Sequence, residues 1–360
     1  MNNQLQISKE FSEFIGCSRI LLCILVVYVH ARMLSDYPVA VDDWVTCYIK
    51  AISFGLAATA VPLFMMFSGY LLGFKFLREG LSFCSYKMNL KKKTKSLLVP
   101  YLAWNILCFL FILVRHHLNS EVYIPTLWEV FYGISENNSS LITPADGPLW
   151  FVRDLIIFNL FSPVFYVVMH FMKQKGLLVL SIIYMLSPLL KGIPFLGVMI
   201  PFMLGWSLVY HDTLFLKVKK PFLLYAVLIL VFVISSSPIF GDDWFSYSSH
   251  LLNPLFGMLF ACSLYQFIGR MHDSQKQKID SLAMYSFFIF ASHGVYARLL
   301  TKTISFVLFK FNLDYNISLF ISYTITPFII VVLSIIMCKM LNKYSHPIYM
   351  VTIALYRYQA

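Results

Sequence analysis

The amino-acid sequence predicts an all-α, polytopic integral membrane protein of about ten transmembrane helices with both termini in the cytoplasm. Three observations carry this. Of the 360 residues 59% are hydrophobic and only 12% are charged, against roughly 25% charged in a soluble domain, and the mean hydropathy is +0.74. Apolar runs of about 17 to 25 residues, enough to cross a bilayer, recur along the whole length. Cations and carboxylates segregate onto alternate connections between those runs.

The expected spans are 17–35, 51–74, 97–115, 149–170, 176–190, 195–210, 221–237, 251–268, 281–300 and 317–341. The first follows a polar stretch, Asn2 to Gly16, that carries Lys9, Glu10 and Glu13. It therefore reads as a permanent span and not as a cleavable signal peptide. The third emerges from the basic stretch "LKKKTKSLLVPYLAW", and the fourth from "TPADGPLW", turn chemistry handing over to a helix. The longest outer connection, about 116–147, contains sequons at Asn137-Asn138-Ser139-Ser140. No repeat or soluble appendage is apparent, so residues 1–360 are expected to form a single membrane domain.

Orientation follows from the connections. One set holds Lys75, Arg78, Lys87, Lys91, Lys92, Lys93, Lys95, Lys173, Lys175, Lys217, Lys219, Lys220, Arg270, Lys276 and Lys278. The other holds Arg32, Lys50, Arg115, Lys191, Lys302 and Lys310, together with ten carboxylates: Asp36, Asp42, Asp43, Glu121, Glu129, Glu136, Asp146, Asp242, Asp243 and Asp314. The first set belongs to the cytoplasm. The same topology accounts for the net charge of +11 without nucleic acid. The seven cysteines are scattered with no C-x-x-C pair, which reads as small core residues and argues against a metal or disulfide framework.

Ionisable groups inside the apolar runs are the functional candidates, because placing them there costs free energy. In "SRILLCILVVYVHA", Arg19 stands near the inner end of span one and His30 eleven residues on. That is about 16 Å of rise and close to three turns, so both side chains share one helix face. An interfacial anchor (Arg19) and an interhelical hydrogen bond (His30) are the structural alternatives. In "SFFIFASHGVY", His293 reaches the outer half as well, thirteen residues beyond Asp280, in a polar cavity or a structural role. Lys91, Lys92, Lys93 and Lys95 crowd the inner end of span three, more charge than orientation needs, and suit a phosphate ligand or anionic lipid.

These pieces together resemble the membrane acyltransferase-3 family. Arg19 and His30 match its R-x10-H pattern in the first span. "VPLFMMFSGYLLG" looks like its second-span motif closing on Ser68-Gly69-Tyr70. "KKKTKSLLVPYLAW" resembles its basic R-x-x-R motif followed by Pro-Tyr, with Lys92 and Lys95 in the two arginine places. Lysine there lacks the bidentate fork of arginine. "GPLWFVRDL" is similar to its Leu-Trp-Phe/Tyr element, and "SHG" to its late-span histidine element. The family's frequent SGNH-type extension is absent from this sequence, so a stand-alone form is expected.

The resemblance implies an enzyme, a membrane-bound O-acyltransferase of the bacterial inner membrane. Such a protein moves an acyl group, most commonly acetyl, from cytoplasmic acyl-CoA to a hydroxyl of a cell-envelope glycan. The acceptor could be O-antigen, another surface polysaccharide or a lipid-linked intermediate. Acetyl-CoA is then the donor, with Lys92, Lys93 and Lys95 receiving its phosphates; no metal is expected. Arg19 holds a phosphate or draws in the thioester. His30 is the candidate catalyst, as a general base suited by an ordinary pKa near 6.5 or as a transient acyl-imidazole. Ser68, Tyr70, Trp150 and His293 are pocket candidates, with packing and the aromatic belt as the alternative for Tyr70 and Trp150. Glu129 and Asp146 lie nearest the Trp-bearing segment, either against a sugar or as solvated loop charges. Arg153 and Asp154 are adjacent, so they are expected on different helix sides and unpaired. A multispan transporter or flippase for a saccharide is the rival reading, disfavoured by the absence of visible inverted repeats.

Overall fold

The structure, a computed structural model, describes residues 7–32, 43–118, 125–135, 142–186, 196–211, 218–235 and 241–353. The sequons at 137–140 lie outside them. The described chain is helical apart from one antiparallel ladder that pairs Ile134–Ser135 with Ile142–Thr143. Helix α1 (Lys9–Ala31) starts at Ser8, whose hydroxyl accepts from the Phe11 N–H at 3.3 Å. That side-chain cap satisfies one of the orphan donors of the first turn. Helix α2 (Asp43–Lys50) runs through a π-helical stretch and a short 3₁₀ turn into α3 (Ala60–Glu79). Likewise α4 (Phe83–Lys93), the helix carrying the lysine cluster, passes through a second π-helical stretch into α5 (Val99–Leu118).

The connection after α5 holds α6 (Leu127–Phe131) and leads to α7 (Trp150–Leu160) and α8 (Ser162–Met172). Then come α9 (Lys175–Leu186), α10 (Leu196–Leu208), α11 (Pro221–Ser235) and α12 (Gly241–Gly269). The last four are α13 (Asp273–Leu282), α14 (Ser286–Lys310), α15 (Tyr315–Tyr344) and α16 (His346–Thr352). Among the described residues five helical segments are long and apolar enough to cross a membrane: Lys9–Ala31, Trp44–Glu79, Phe83–Leu118, Leu252–Gly269 and Tyr315–Tyr344. A sixth is reached if α7 and α8 make one span. Three shorter apolar helices, Lys175–Leu186, Leu196–Leu208 and Pro221–Ile234, coincide with three further expected spans.

The expected span 149–170 is not one straight helix. It bends by 71° between α7 and α8. Pro163 is the second residue of α8 and cannot continue α7, because it lacks an N–H and its ring clashes with the preceding turn. Elsewhere the outside of the molecule is apolar: Leu107, Phe111 and Val114 of α5, Leu178 of α9 and Leu230 of α11 are all exposed. Large exposed apolar surfaces of this extent belong against lipid. The molecule is a multi-pass membrane protein.

Inside, α1 is the hub, packed against α3, α12, α13, α14 and α15. Helix α3 crosses α10 at close range. A methyl group at Gly69 would overlap the Phe202 carbonyl, and one at Gly205 would overlap the Met66 carbonyl. Small residues let two membrane helices approach backbone to backbone. The glycine of the Ser-Gly-Tyr element is therefore a packing residue that fixes the face carrying Ser68.

Candidate active site

Helical spacing puts Arg19, Cys23, Val27 and His30 on one stripe of α1. Cys23 and Val27 of that stripe are buried in a cluster with Ile289, Ala297 and Ile330 of α14 and α15. The same packing brings the two predicted imidazoles together. His30 and His293 meet with ring centroids 4.9 Å apart and planes at 63°.

His293 is fully buried. Its Nδ1 lies 3.2 Å from the Ile289 carbonyl oxygen, which can only accept, so Nδ1 carries the hydrogen and Nε2 is the free lone pair of the neutral ring. That Nε2 is buried without a hydrogen-bond partner. The helix that carries it is pinned to α15 next door, where Ser292, Tyr296 and Ser334 hydroxyls lie 2.6–3.0 Å from one another. Arg32, its guanidinium 4.4 Å over the Phe54 ring, and Arg298 both act electrostatically on His30 from farther along α1 and α14.

Inward of the histidines, a cavity of about 100 Å³ is bounded by Arg19, Cys23, Ser68, Ser286, Phe151 and Phe290, among others. Three aromatic rings close its outer end: Phe151 meets Phe290 edge-on at 4.3 Å and stacks on Phe64 at 6.0 Å. Phe290 in turn packs on His293, centroids 5.5 Å apart. A second, polar cavity of about 420 Å³ is lined by Ser12, Glu13, Lys276, Asp280 and Arg19. Arg19, Leu71, Ala283 and Met284 line both. Arg19 thus stands at the junction between a polar mouth and an apolar chamber that ends one ring away from the histidine pair. At the mouth, Lys276 donates to Glu13 at 2.9 Å and lies 3.6 Å from Asp273.

The remaining candidates divide. Ser68 lines the inner cavity. Tyr70 does not: it is buried against Phe11, centroids 4.3 Å apart, in a packing role. Trp150 is partly buried against the main core and lines neither cavity. Lys92 and Lys95 are exposed and Lys93 half-buried; none of the three lines either cavity, although Leu97 on the following turn lines the inner one. Instead Lys92 and Lys93 face Lys75 of α3, which donates to Asn89 at 3.3 Å.

Two expectations for the segment entering α7 are corrected. Asp146 is not a solvated loop charge but a buried one, and burial pushes its carboxyl well above the usual carboxylate range. Arg153 and Asp154 do pair, and both are buried. The guanidinium Nε and Nη2 each lie 2.8 Å from Asp154 Oδ1, and Nη1 donates to the Tyr132 carbonyl at 2.6 Å. The long arginine side chain curls back along α7, which adjacency on a helix does not forbid. Glu129 is occupied locally: with Thr126 it forms the capping box of α6.

In a family-wide comparison the acyltransferase-domain family Acyl_transf_3 matches residues 13–351. The chain belongs to the acyltransferase-3 family. It is also similar to the succinoglycan biosynthesis protein ExoH of Rhizobium meliloti (strain 1021), at 30% identity over 190 residues. That alignment covers 50% of this chain and 48% of the relative, so the chain spans about half the length of the curated relative it matches. No solved structure matches.

In this acyltransferase-3 chain two residues of the site escaped the sequence reading. Phe151 and Phe290 belong to the "LWF" and "SFFIFASHG" stretches, but nothing in an aromatic-rich sequence separates a cavity wall from lipid-facing rings. Asp146 was named beside Glu129, against a sugar or as a solvated loop charge, and nothing in the sequence signalled its burial. Among the described residues no group of three His, Cys, Asp or Glu side chains could hold a metal ion.

Proposed function

We propose that this protein transfers an acyl group, acetyl in the first instance, from cytoplasmic acyl-CoA to a hydroxyl of an extracytoplasmic or lipid-linked cell-surface polysaccharide. It does so in the bacterial inner membrane, with about ten spans and both termini inside. The observation that carries the reading is the arrangement along α1: Arg19 at the junction of a polar mouth and an inner chamber, His30 three turns outward against His293. The family supports acyl transfer, and the relative, a succinoglycan biosynthesis protein, supports a polysaccharide acceptor.

In this reading the thioester enters past Arg19, while the nucleotide end stays near Lys92, Lys93 and Lys95. The acceptor oxygen attacks the thioester carbonyl, the new C–O bond forms, the C–S bond breaks, and His30 takes the hydroxyl proton. A two-step route through an acyl-imidazole on His30 uses the same groups. Neutral imidazole suits either role.

The test is turnover in proteoliposomes with radiolabelled acetyl-CoA or succinyl-CoA and a crude envelope-glycan fraction. Label entering carbohydrate with wild type and lost in folded His30→Ala supports the reading. Absence of transfer from every acyl-CoA, together with no thermal shift on adding CoA, overturns it in favour of a saccharide transporter. Label held on the protein when acceptor is withheld separates the two-step route from the direct one.

A further inference from the structure

Helices α1 and α14 run side by side in one direction. Cys23 Sγ donates to the Ser286 carbonyl at 3.4 Å, and seven residues farther along each helix His30 meets His293. Each helix then carries an arginine on the side of that pair away from Arg19. Arg32 follows the last residue of α1, and Arg298 stands five residues past His293. The two guanidiniums act electrostatically on each other, and both act on His30.

These charges are not compensated within the protein. Arg78 and Arg153 each hold a carboxylate, at 2.9 and 2.8 Å. Neither Arg32 nor Arg298 has a carboxylate partner among the described residues. The other group acting on Arg32 is Tyr323, whose hydroxyl lies 2.7 Å from that of Ser53 and is uncharged at neutral pH. Arg32 is half-buried, its guanidinium 4.4 Å over the Phe54 ring, and Arg298 is exposed. A ring face holds a cation in place without cancelling its charge. Two like charges kept together, one of them half out of water, oppose folding until an anion joins them.

Guanidiniums grip oxyanions through paired N–H donors, and the oxygens of phosphate or carboxylate match that fork. The position of the arginines beside the candidate base decides which substrate brings the anion. The donor thioester comes from the Arg19 side, so a group met beyond the histidine pair belongs to the acceptor.

We propose that Arg32 and Arg298 form an anion subsite for the acceptor, whose glycan carries an oxyanion, phosphate or carboxylate, close to the hydroxyl that is acylated. This rests on the acyl-transfer reading and deepens it by naming the charge class of the acceptor. The anion lies between the guanidiniums, turns the hydroxyl toward His30, and screens that imidazole from two like charges while it takes the proton. A diphosphate that links a glycan to lipid and the carboxylate of an acidic sugar present the same chemistry here.

The experiment follows label from radiolabelled acetyl-CoA in proteoliposomes into envelope-glycan fractions sorted by anion exchange. It compares the full-length wild type with Arg32→Gln, Arg32→Lys, Arg298→Gln and Arg298→Lys. Wild type is expected to label an acidic fraction at least about tenfold faster than the neutral one, the worth of one charge-assisted hydrogen bond. Each glutamine variant should raise the KM for the acidic acceptor about tenfold and leave the KM for acetyl-CoA within about twofold. Lysine should recover part of the loss, since it keeps the charge without the fork. Arg298 is exposed, so its variants keep the test decisive if Arg32→Gln fails to fold. Inorganic pyrophosphate and glucuronate, tested as inhibitors competitive with glycan and not with acetyl-CoA, separate the two sources. Stronger inhibition by pyrophosphate assigns the anion to a lipid-linked diphosphate, and stronger inhibition by glucuronate assigns it to an acidic sugar. Inhibition by neither, equal transfer to neutral and acidic fractions, or an unchanged acceptor KM in Arg298→Gln overturns the subsite while wild-type transfer stands. No transfer by wild type from any acyl-CoA to any fraction overturns the acyl-transfer reading and the subsite with it.

Discussion

His30 and His293 meet edge to face, ring centroids 4.9 Å apart, on helices α1 and α14. Each alone admits a structural explanation: an imidazole at an interhelical contact, or one bonded to its own helix. Together they place two imidazole rings at one point, directly behind the aromatic wall of a chamber that begins at Arg19. Because the two rings touch, their contributions to turnover are not separable.

Substitution of the pair is accordingly expected to be non-additive. His30→Ala should lower transfer by about 10²- to 10⁴-fold, the range of a lost general base. His293→Ala should cost less, and the double variant no more than His30→Ala alone. Steady-state rates of label transfer for the three proteins, each checked for folding by thermal shift, give the comparison. A double variant that falls by the product of the single effects would show the rings acting independently.

Arg19 and the lysine cluster should separate by kinetics. Arg19 lines both cavities, whereas Lys92, Lys93 and Lys95 line neither. Arg19→Gln is expected to raise the KM for acyl-CoA about tenfold, a loss of about 1.4 kcal/mol. Replacing all three lysines by glutamine should raise it less than about threefold at 0.15 M salt and more at low salt, because surface charges act through a screened field. Initial rates against donor concentration at two ionic strengths decide this. Equal KM effects from both variants would put the cluster inside the donor site.

Much of this arrangement was legible in the sequence, and the reason is periodicity. Eleven residues on a helix return to the same face, so Arg19 and His30 could be assigned to one side of one span without any neighbour. Counting from Asp280 likewise put His293 level with His30, and the two rings do meet. What the sequence left open is how helices rotate and tilt against one another. That α14 and not another helix faces His30, that Asp146 folds under Gly294, and that Tyr70 points into packing while Ser68 points into the cavity are all products of inter-helix contact. The break at Phe161 was signalled by Pro163, yet a proline in a membrane run permits a kink as readily as a second helix. The Arg153–Asp154 pair went the other way, because helix-face geometry restricts Cβ directions but not the far end of a long side chain.

The α3–α10 crossing makes a stability prediction. Gly69 and Gly205 bring main chain against main chain, and a single methyl group has nowhere to go at either position. Gly69→Ala is expected to destabilise by at least the 1–3 kcal/mol typical of overpacking, with larger residues abolishing folding. Ser68→Ala, one residue away on the cavity side, should leave the melting midpoint nearly unchanged. Thermal unfolding in detergent reads both. A well-folded Gly69→Val would mean that the two helices are farther apart than described.

The buried Arg153–Asp154 pair gives the sharpest asymmetry. Arg153 makes three interactions at once: one with Asp154 on its own helix, and two that tie the preceding connection to α7, with the Tyr132 carbonyl and, by a cation–π contact at 5.0 Å, with the Tyr132 ring. Removing the guanidinium strands a buried carboxylate, which costs about 3–5 kcal/mol, whereas replacing both partners by apolar residues of similar volume costs far less. Arg153→Met should therefore be markedly unstable, and Arg153→Met with Asp154→Leu should recover most of the loss. The recovered double variant should still transfer label more slowly than wild type, because the Tyr132 carbonyl has lost its donor and the connection that ends at Asp146 is no longer tied to α7. Melting midpoints test the first part and transfer rates the second. If the double variant is no more stable than the single one, the pair is not the electrostatic unit that its geometry describes.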